Sequence, residues 1–204
     1  NTTGFISSQG NILRTTDSGN NWVAVSINFL ATMESIVFLN SQTGFSTGHS
    51  GRIYKTTNSG INWISLSSGT TEPLLSCCFS DVNTGWVVGW NGTILKTTNS
   101  GVNWATIPSG TNNKLTSVFF RNNDTGWMTS ENGNIYKSVN GGLNWTSLTF
   151  GSYLGSLHFY NDQTGWAVGT SILKTTDAGS SWVVQPDPSA DYYKSVHFLN
   201  DLSG

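Results

Sequence analysis

Short apolar runs alternate with polar stretches along the whole chain, and the alternation itself repeats. "SIVFLNSQTGF", "SCCFSDVNTGW", "SVFFRNNDTGW" and "SLHFYNDQTGW" begin at Ser35, Ser76, Ser117 and Ser156, and a shortened fifth copy, "SVHFLNDLSG", begins at Ser195. Between them stands an eight-residue polar box ending in tryptophan: "TTDSGNNW", "TTNSGINW", "TTNSGVNW", "SVNGGLNW" and "TTDAGSSW". The box tryptophans are Trp22, Trp63, Trp104, Trp145 and Trp182, at spacings of 41, 41, 41 and 37 residues. A period near 40 residues marks a repeat architecture and not a string of independent domains.

Each repeat predicts four short strands. The Ser-apolar-x-Phe run is strand A, and the Asn/Asp-x-x-Thr-Gly step after it is a turn. The next apolar run, for example Trp86 to Trp90, is strand B. A glycine-containing turn leads to "ILK" or "IYK", strand C, and the box is the C–D turn whose tryptophan opens strand D. Short strands with Gly and Asn turns at this spacing indicate an all-β fold. Four-stranded units of this length arranged radially make a β-propeller. The count predicts five four-stranded blades: residues 1–34 plus 194–204, then 35–75, 76–116, 117–155 and 156–193. Strand A of the last copy would complete the first blade, an interlocking closure that removes an open edge. "NTTG" at the start and "DLSG" at the end fill the same turn slot, which suggests a piece of a longer chain. A monomer is expected. No apolar run approaches a membrane span.

The box has a local chemistry. Its third position is Asp17, Asn58, Asn99, Asn140 or Asp177, short side chains that bond nearby backbone amides. The glycine two residues on is expected at positive φ. The tryptophan is expected to bury its ring and to need a partner for its indole N–H. The turn is therefore read as structural.

These five boxes resemble the Asp-box, or BNR, repeat, and "GWVVGWNGTILKTTNSGVNW" is similar to the photosystem II assembly factor-like branch and to secreted bacterial repeat proteins. The resemblance implies the propeller fold and an extracytoplasmic or secreted setting. It leaves function open, because the same boxes occur in sialidases, xyloglucan hydrolases, receptors and assembly factors. Three boxes carry Asn where the family prefers Asp, so no ion is assigned there. A sialidase needs an arginine triad on one face. Here Arg14, Arg52 and Arg121 fall at opposite ends of the predicted blades, which excludes it. A two-carboxylate glycosidase needs acids across one cleft. Glu34, Glu72, Glu131, Asp187 and Asp191 lie near suitable loops, but nothing singles out a pair.

Charge and cysteine content narrow the reading further. Only 10% of residues are charged and the net charge is −2, against the basic face of a nucleic-acid binder. Arg14, Lys55, Lys96, Lys137 and Lys174 form one repeat column, read as aliphatic stems over apolar strands with their charges in water. Cys77 and Cys78 are adjacent on strand A and point to opposite faces, so they are expected as buried free thiols. His158 and His197 share a column, but no third ligand completes a metal site, and neither metal nor cofactor is expected. The sequons at Asn91, Asn123 and Asn144 are expected by chance.

A binding surface remains. The D–A and B–C loops share one end of the blades, and they vary from repeat to repeat. His49, Arg52, Trp90, Glu131, Tyr153, Tyr192 and Tyr193 lie there. Trp90 stands out because its aligned positions hold His49, Glu131 and Thr170. The expected function is a non-catalytic protein-interaction or scaffold module. The alternative is a carbohydrate-binding or glycoside-hydrolase-like propeller, so the partner is a protein or a glycan.

Overall fold

The computed structural model describes residues 2–7, 11–26, 32–189 and 191–199. They hold nineteen strands and one 3-10 turn in five antiparallel sheets. Sheet one comprises β1 (Gly4–Ser7), β2 (Asn11–Thr15) and β3 (Val23–Ser26). Sheet two comprises β4 (Met33–Phe38), β5 (Gly44–Gly48), β6 (Arg52–Thr56) and β7 (Ile64–Leu66). Sheet three follows with β8 (Leu74–Phe79), β9 (Gly85–Gly89), β10 (Ile94–Thr97) and β11 (Ala105–Thr106). Sheet four has β12 (Leu115–Phe120), β13 (Gly126–Ser130), β14 (Asn134–Ser138) and β15 (Thr146–Thr149). Sheet five has β16 (Leu154–Phe159), β17 (Gly165–Gly169), β18 (Ile172–Thr175) and β19 (Val183–Val184). Each sheet pairs its strands in chain order, as hairpin connections require. The chain forms two compact units, Asn1–Val87 with Leu95–Thr106 and Val88–Ile94 with Ile107–Gly204.

The second strand of sheets two to five is buried at all five positions, whereas β11, β15 and β19 are exposed throughout. A strand buried on both faces packs between neighbours and tolerates no charge, which is why "GWVVG" and its copies carry none. The A strands begin two residues before the serine that the apolar pattern marked. Met33, Leu115 and Leu154 are buried and pair with Gly48, Ser130 and Gly169, and the register then shifts before Ser35, Ser117 and Ser156. Such a bulge spares one residue from the ladder and bends the strand.

Aromatic rings join consecutive sheets inside each unit. Phe5 stacks on Phe38 at 4.0 Å and Phe45 on Phe79 at 4.5 Å. In the second unit Trp127 stacks on Phe159 at 3.8 Å. In each case a B-strand ring meets the last phenylalanine of the following A strand. The A strands also meet through serines. The Ser35 hydroxyl accepts the Cys77 N–H and the Ser117 hydroxyl accepts the Leu157 N–H, both at 3.3 Å.

The C-terminal segment uses the same two devices. The Val196 N–H donates to Ser156 Oγ at 3.3 Å, and Phe198 stacks on Trp166 at 3.6 Å. Residues 196–198 therefore dock on sheet five as an A strand docks on the sheet before it. Sheet one itself has three strands among the described residues, where four were expected, and residues 194–199 carry no strand. Residues 200–204 of the expected first blade lie outside the described residues.

Candidate functional site

The box of each repeat closes on a common set of short-range bonds. Thr15 Oγ1 donates to Asp17 Oδ1 at 2.7 Å and accepts the N–H groups of Asp17 and Gly19. Asp17 Oδ1 also accepts the Asn21 N–H at 2.9 Å. Thr56 with Asn58, Thr97 with Asn99, Ser138 with Asn140 and Thr175 with Asp177 repeat the arrangement. An amide oxygen serves as well as a carboxylate, because all that the turn asks is an acceptor. The Asp17 carboxyl is lowered to about 2, first by the Asn21 N–H and then by the Thr15 hydroxyl. That of Asp177 is lowered to about 2 by the Ser181 hydroxyl and N–H.

The box glycines take positive φ as expected: Gly101, for instance, has φ +74°. The residue before them does so as well, which the sequence reading did not anticipate: Ser18, Ser59, Ser100, Gly141 and Ala178. The restriction to small residues there was the available signal. The indole expectation needs correction. Trp22 is 39% exposed and donates to Gly19 O at 3.0 Å. The indole N–H groups of Trp63, Trp104, Trp145 and Trp182 are buried and find no acceptor among the described residues. Their rings are held instead by edge contacts to Phe38, Phe45 and Phe79, Phe120 and Phe159.

The basic column does more than cover strands. Arg14 Nε donates to Ser59 O at 2.7 Å and Lys55 Nζ to Ser100 O at 2.6 Å, each to the box of the next repeat. Lys55, Lys96, Lys137 and Lys174 also lie 5.0–6.0 Å from the rings of Phe45, Trp86, Trp127 and Trp166. Arg121 pairs with Asp162 at 2.7 Å. Cys77 is buried and its thiol is pushed up to about 11, chiefly by that burial, while Cys78 is only half-buried, contrary to expectation. His158 and His197 stand 4.4 Å apart, and His158 Nδ1 accepts the Phe198 N–H at 3.3 Å. Burial, then the charges of His197 and Arg121, lower the His158 pKa.

The opposite end of the sheets is built by a second recurring motif, missed in the sequence although "SSGTTE" and "PSGTNN" stand 41 residues apart. Ser68 Oγ donates to Thr70 O and accepts the Thr70 N–H, and Ser109 does the same with Thr111. The B–C glycine then packs flat against that loop. A Cβ on Gly51 would lie 1.9 Å from Thr70 O, and one on Gly92 1.9 Å from Thr111 O. These loops rest on their own sheet.

Within the first unit, His49 Nε2 lies 3.0 Å from Glu34 Oε1, and the Arg52 N–H donates to His49 O. Arg52 lines a polar pocket of about 590 Å³ with Ser65, Ser68 and Thr70. In the second unit, Trp90 was expected to end strand B. It instead starts the 3-10 turn Trp90–Gly92 and is 43% exposed. Lys114 Nζ sits 5.3 Å over its ring. Trp90, Asn91, Asn112, Lys114 and Glu131 line a pocket of about 300 Å³. Asn113 beneath it donates to Tyr136 Oη and accepts from Asn132. Tyr153 and Tyr192 stand 5.2 Å apart, whereas the Tyr193 hydroxyl is engaged with Asp187 and Ser189. The structure thus brings Trp90 to Glu131 and Tyr153 to Tyr192, and places His49 and Arg52 in the other unit.

The five boxes and the hairpin sheets define an Asp-box β-propeller protein. The family model for the photosynthesis system II assembly factor YCF48 matches residues 63–156, just under half of the chain. A search of the curated proteins found no match. Among solved structures, YCF48 from Cyanidioschyzon merolae is similar at TM-score 0.69 and 19% identity, over 91% of this chain and 69% of that one. A structure described as YCF48 bound to D1 peptide gives TM-score 0.69 and 21% identity, over 90% of this chain and 63% of the other. An ancestral GH74 enzyme gives 0.74 and 18%, but this chain spans only 29% of its length.

Proposed function

We propose that this chain is a non-catalytic protein-interaction propeller whose partner, a peptide segment of another protein, meets the end formed by the D–A and B–C loops. The observation that carries the reading is Trp90: a ring 43% exposed over a polar pocket, at a position held by His49, Glu131 and Thr170 in the other repeats. Large rings at pocket edges are the residues that commonly anchor interfaces. The peptide bound to YCF48 supports a protein partner. The box turns, by contrast, bond their Thr, Ser, Asp and Asn side chains among themselves. As part of the same proposal the ring has five blades within one chain, 1–204, and residues 194–200 close the first. The docking of Val196 and Phe198 on sheet five supports this. A monomer outside the cytoplasm completes it.

The test is a pull-down of peptides or proteins run beside a glycan array. Trp90→Ala is expected to weaken a captured polypeptide at least about thirtyfold, while Val102→Ser on the exposed box end leaves it unchanged. Capture of a glycan alone, or turnover of a glycoside that one carboxylate substitution abolishes, overturns the reading in favour of the carbohydrate alternative.

A further inference from the structure

The basic column departs from its own pattern once. Lys55, Lys96, Lys137 and Lys174 hold it in four repeats, and Arg14 holds it in the first. A lysine suffices for the frame, since Lys55 Nζ reaches Ser100 O of the next box at 2.6 Å. Arg14 makes the matching bond to Ser59 O with Nε, at 2.7 Å. That bond fixes the guanidinium and leaves its two terminal nitrogens over. Among the described residues they form no salt bridge.

A second departure falls in the same slot between sheets one and two. The A–B turns of sheets three, four and five each carry an acid, Asp81, Asp124 and Asp162. The turn of sheet two reads Asn40-Ser41-Gln42 and carries none. At the position of Ser41, sheet five has Asp162, which takes the guanidinium of Arg121 from the preceding sheet at 2.7 Å. Between sheets one and two the guanidinium is present and the acid is missing. Arg14 and Ser41 line one pocket of about 450 Å³, together with Thr3, Asn40 and the rings of Phe5 and Phe38, stacked at 4.0 Å. No carboxylate lines it. Asn40 Oδ1 already accepts the N–H groups of Gln42 and Thr43, so its amide has only its NH2 to offer.

A guanidinium fork, an amide NH2 and two hydroxyls are donors that one oxyanion satisfies, with paired bonds to the arginine. A cation meets repulsion from Arg14. The two phenyl rings add an apolar surface beside the donors, suited to a flat group attached to the anion. We propose that this pocket binds an organic oxyanion, a carboxylate or phosphate carried on a flat apolar body. Arg14 holds the anion and the Phe5–Phe38 pair meets the body. The site lies at the box end and does not depend on the peptide-binding reading of the loop end.

Titration calorimetry of the full chain with benzoate, phenyl phosphate, benzyl alcohol and inorganic phosphate tests this. The two aryl anions are expected to bind saturably, and the tighter of them identifies the oxyanion. Benzyl alcohol should not bind, and inorganic phosphate should bind at least about tenfold more weakly than phenyl phosphate. Arg14→Lys, the residue of the other four repeats, keeps a donor for Ser59 O but loses the fork, and should weaken the aryl anions about tenfold. Ser41→Asp, the residue of sheet five, should abolish binding by supplying the missing acid. Both variants should keep the wild-type urea midpoint, because each places a residue that another repeat already carries. The inference is overturned if neither aryl anion binds saturably, if both variants bind as wild type, or if inorganic phosphate matches phenyl phosphate.

Discussion

Replacing Gly101 by alanine adds one methyl group in the middle of a box, and the structure says what that methyl meets. Gly101 has φ +74°, where a side chain is strained whatever the space. Forcing an L-residue into that region costs about 1–2 kcal/mol. The new Cβ would stand 2.5 Å from Cε1 of Phe45, a fully buried ring stacked on Phe79 and edge-on to Trp104. Phe45 cannot swing aside without disturbing both neighbours, so overpacking adds about 1–3 kcal/mol. The sum is about 2–5 kcal/mol. Gly110 is the control. Its φ is +72°, nearly the same, but a Cβ there meets nothing within 4 Å. Gly110→Ala should therefore show the backbone strain alone, about 1–2 kcal/mol. Urea denaturation followed by tryptophan fluorescence reads both, with a slope of about 1–3 kcal/mol per molar. If the two variants lose the same stability, the close approach of box and neighbouring ring contributes nothing and the packing account is wrong.

Other expectations follow from single groups. Because no acceptor among the described residues meets the Trp104 indole N–H, Trp104→Phe should cost about 1 kcal/mol and Trp104→Ala about 3–5 kcal/mol in the same denaturation; equal losses would refute this account of the ring. The Cys77 thiol, pushed up to about 11 by burial, should resist iodoacetamide at mildly alkaline pH in the folded protein and react once denatured. Asp17 and Asp177 are lowered from 3.8 to about 2. Their contribution is present above the unfolded value and lost as pH falls from about 4 towards 2. The Asp17→Asn, Asp177→Asn double variant should therefore lose less stability over that window than wild type. An unchanged acid limb would assign the loss to other carboxyls.

The legible part of this molecule is the part whose bonds close locally. Thr97, Asn99, Gly101 and Asn103 satisfy one another within a few residues, so the box could be read as a turn from four letters and their spacing. The strands were legible because burial on one or both faces writes itself into the apolar runs. What escaped depends on a neighbouring sheet. Phe45 over Phe79 and Arg14 on Ser59 O each join one repeat to the next. The site divides the same way. Trp90 could be singled out by comparing repeats, but the lysine over its ring comes from the next D–A loop, and no spacing rule predicts that meeting.

One residue in the box has a consequence for how such chains change length. The Ser59 N–H bonds Gln42 O in its own sheet, while the Ser59 carbonyl receives Arg14 from the preceding one. Inserting or deleting a residue there would break two sheets' bonds at once. The fifth repeat shows where length has been lost instead. Its box tryptophan follows the previous one by 37 residues and not 41. Two of the four missing residues fall between Trp145 and Leu154, against Trp104 to Leu115. The other two fall between Gly169 and Ile172, against Gly89 to Ile94. Both deletions lie at the loop end, and the box end has kept its count. Duplicated repeats of this kind can therefore lengthen, shorten and diversify at one end only, so new specificity arises there without redesign of the frame that carries it.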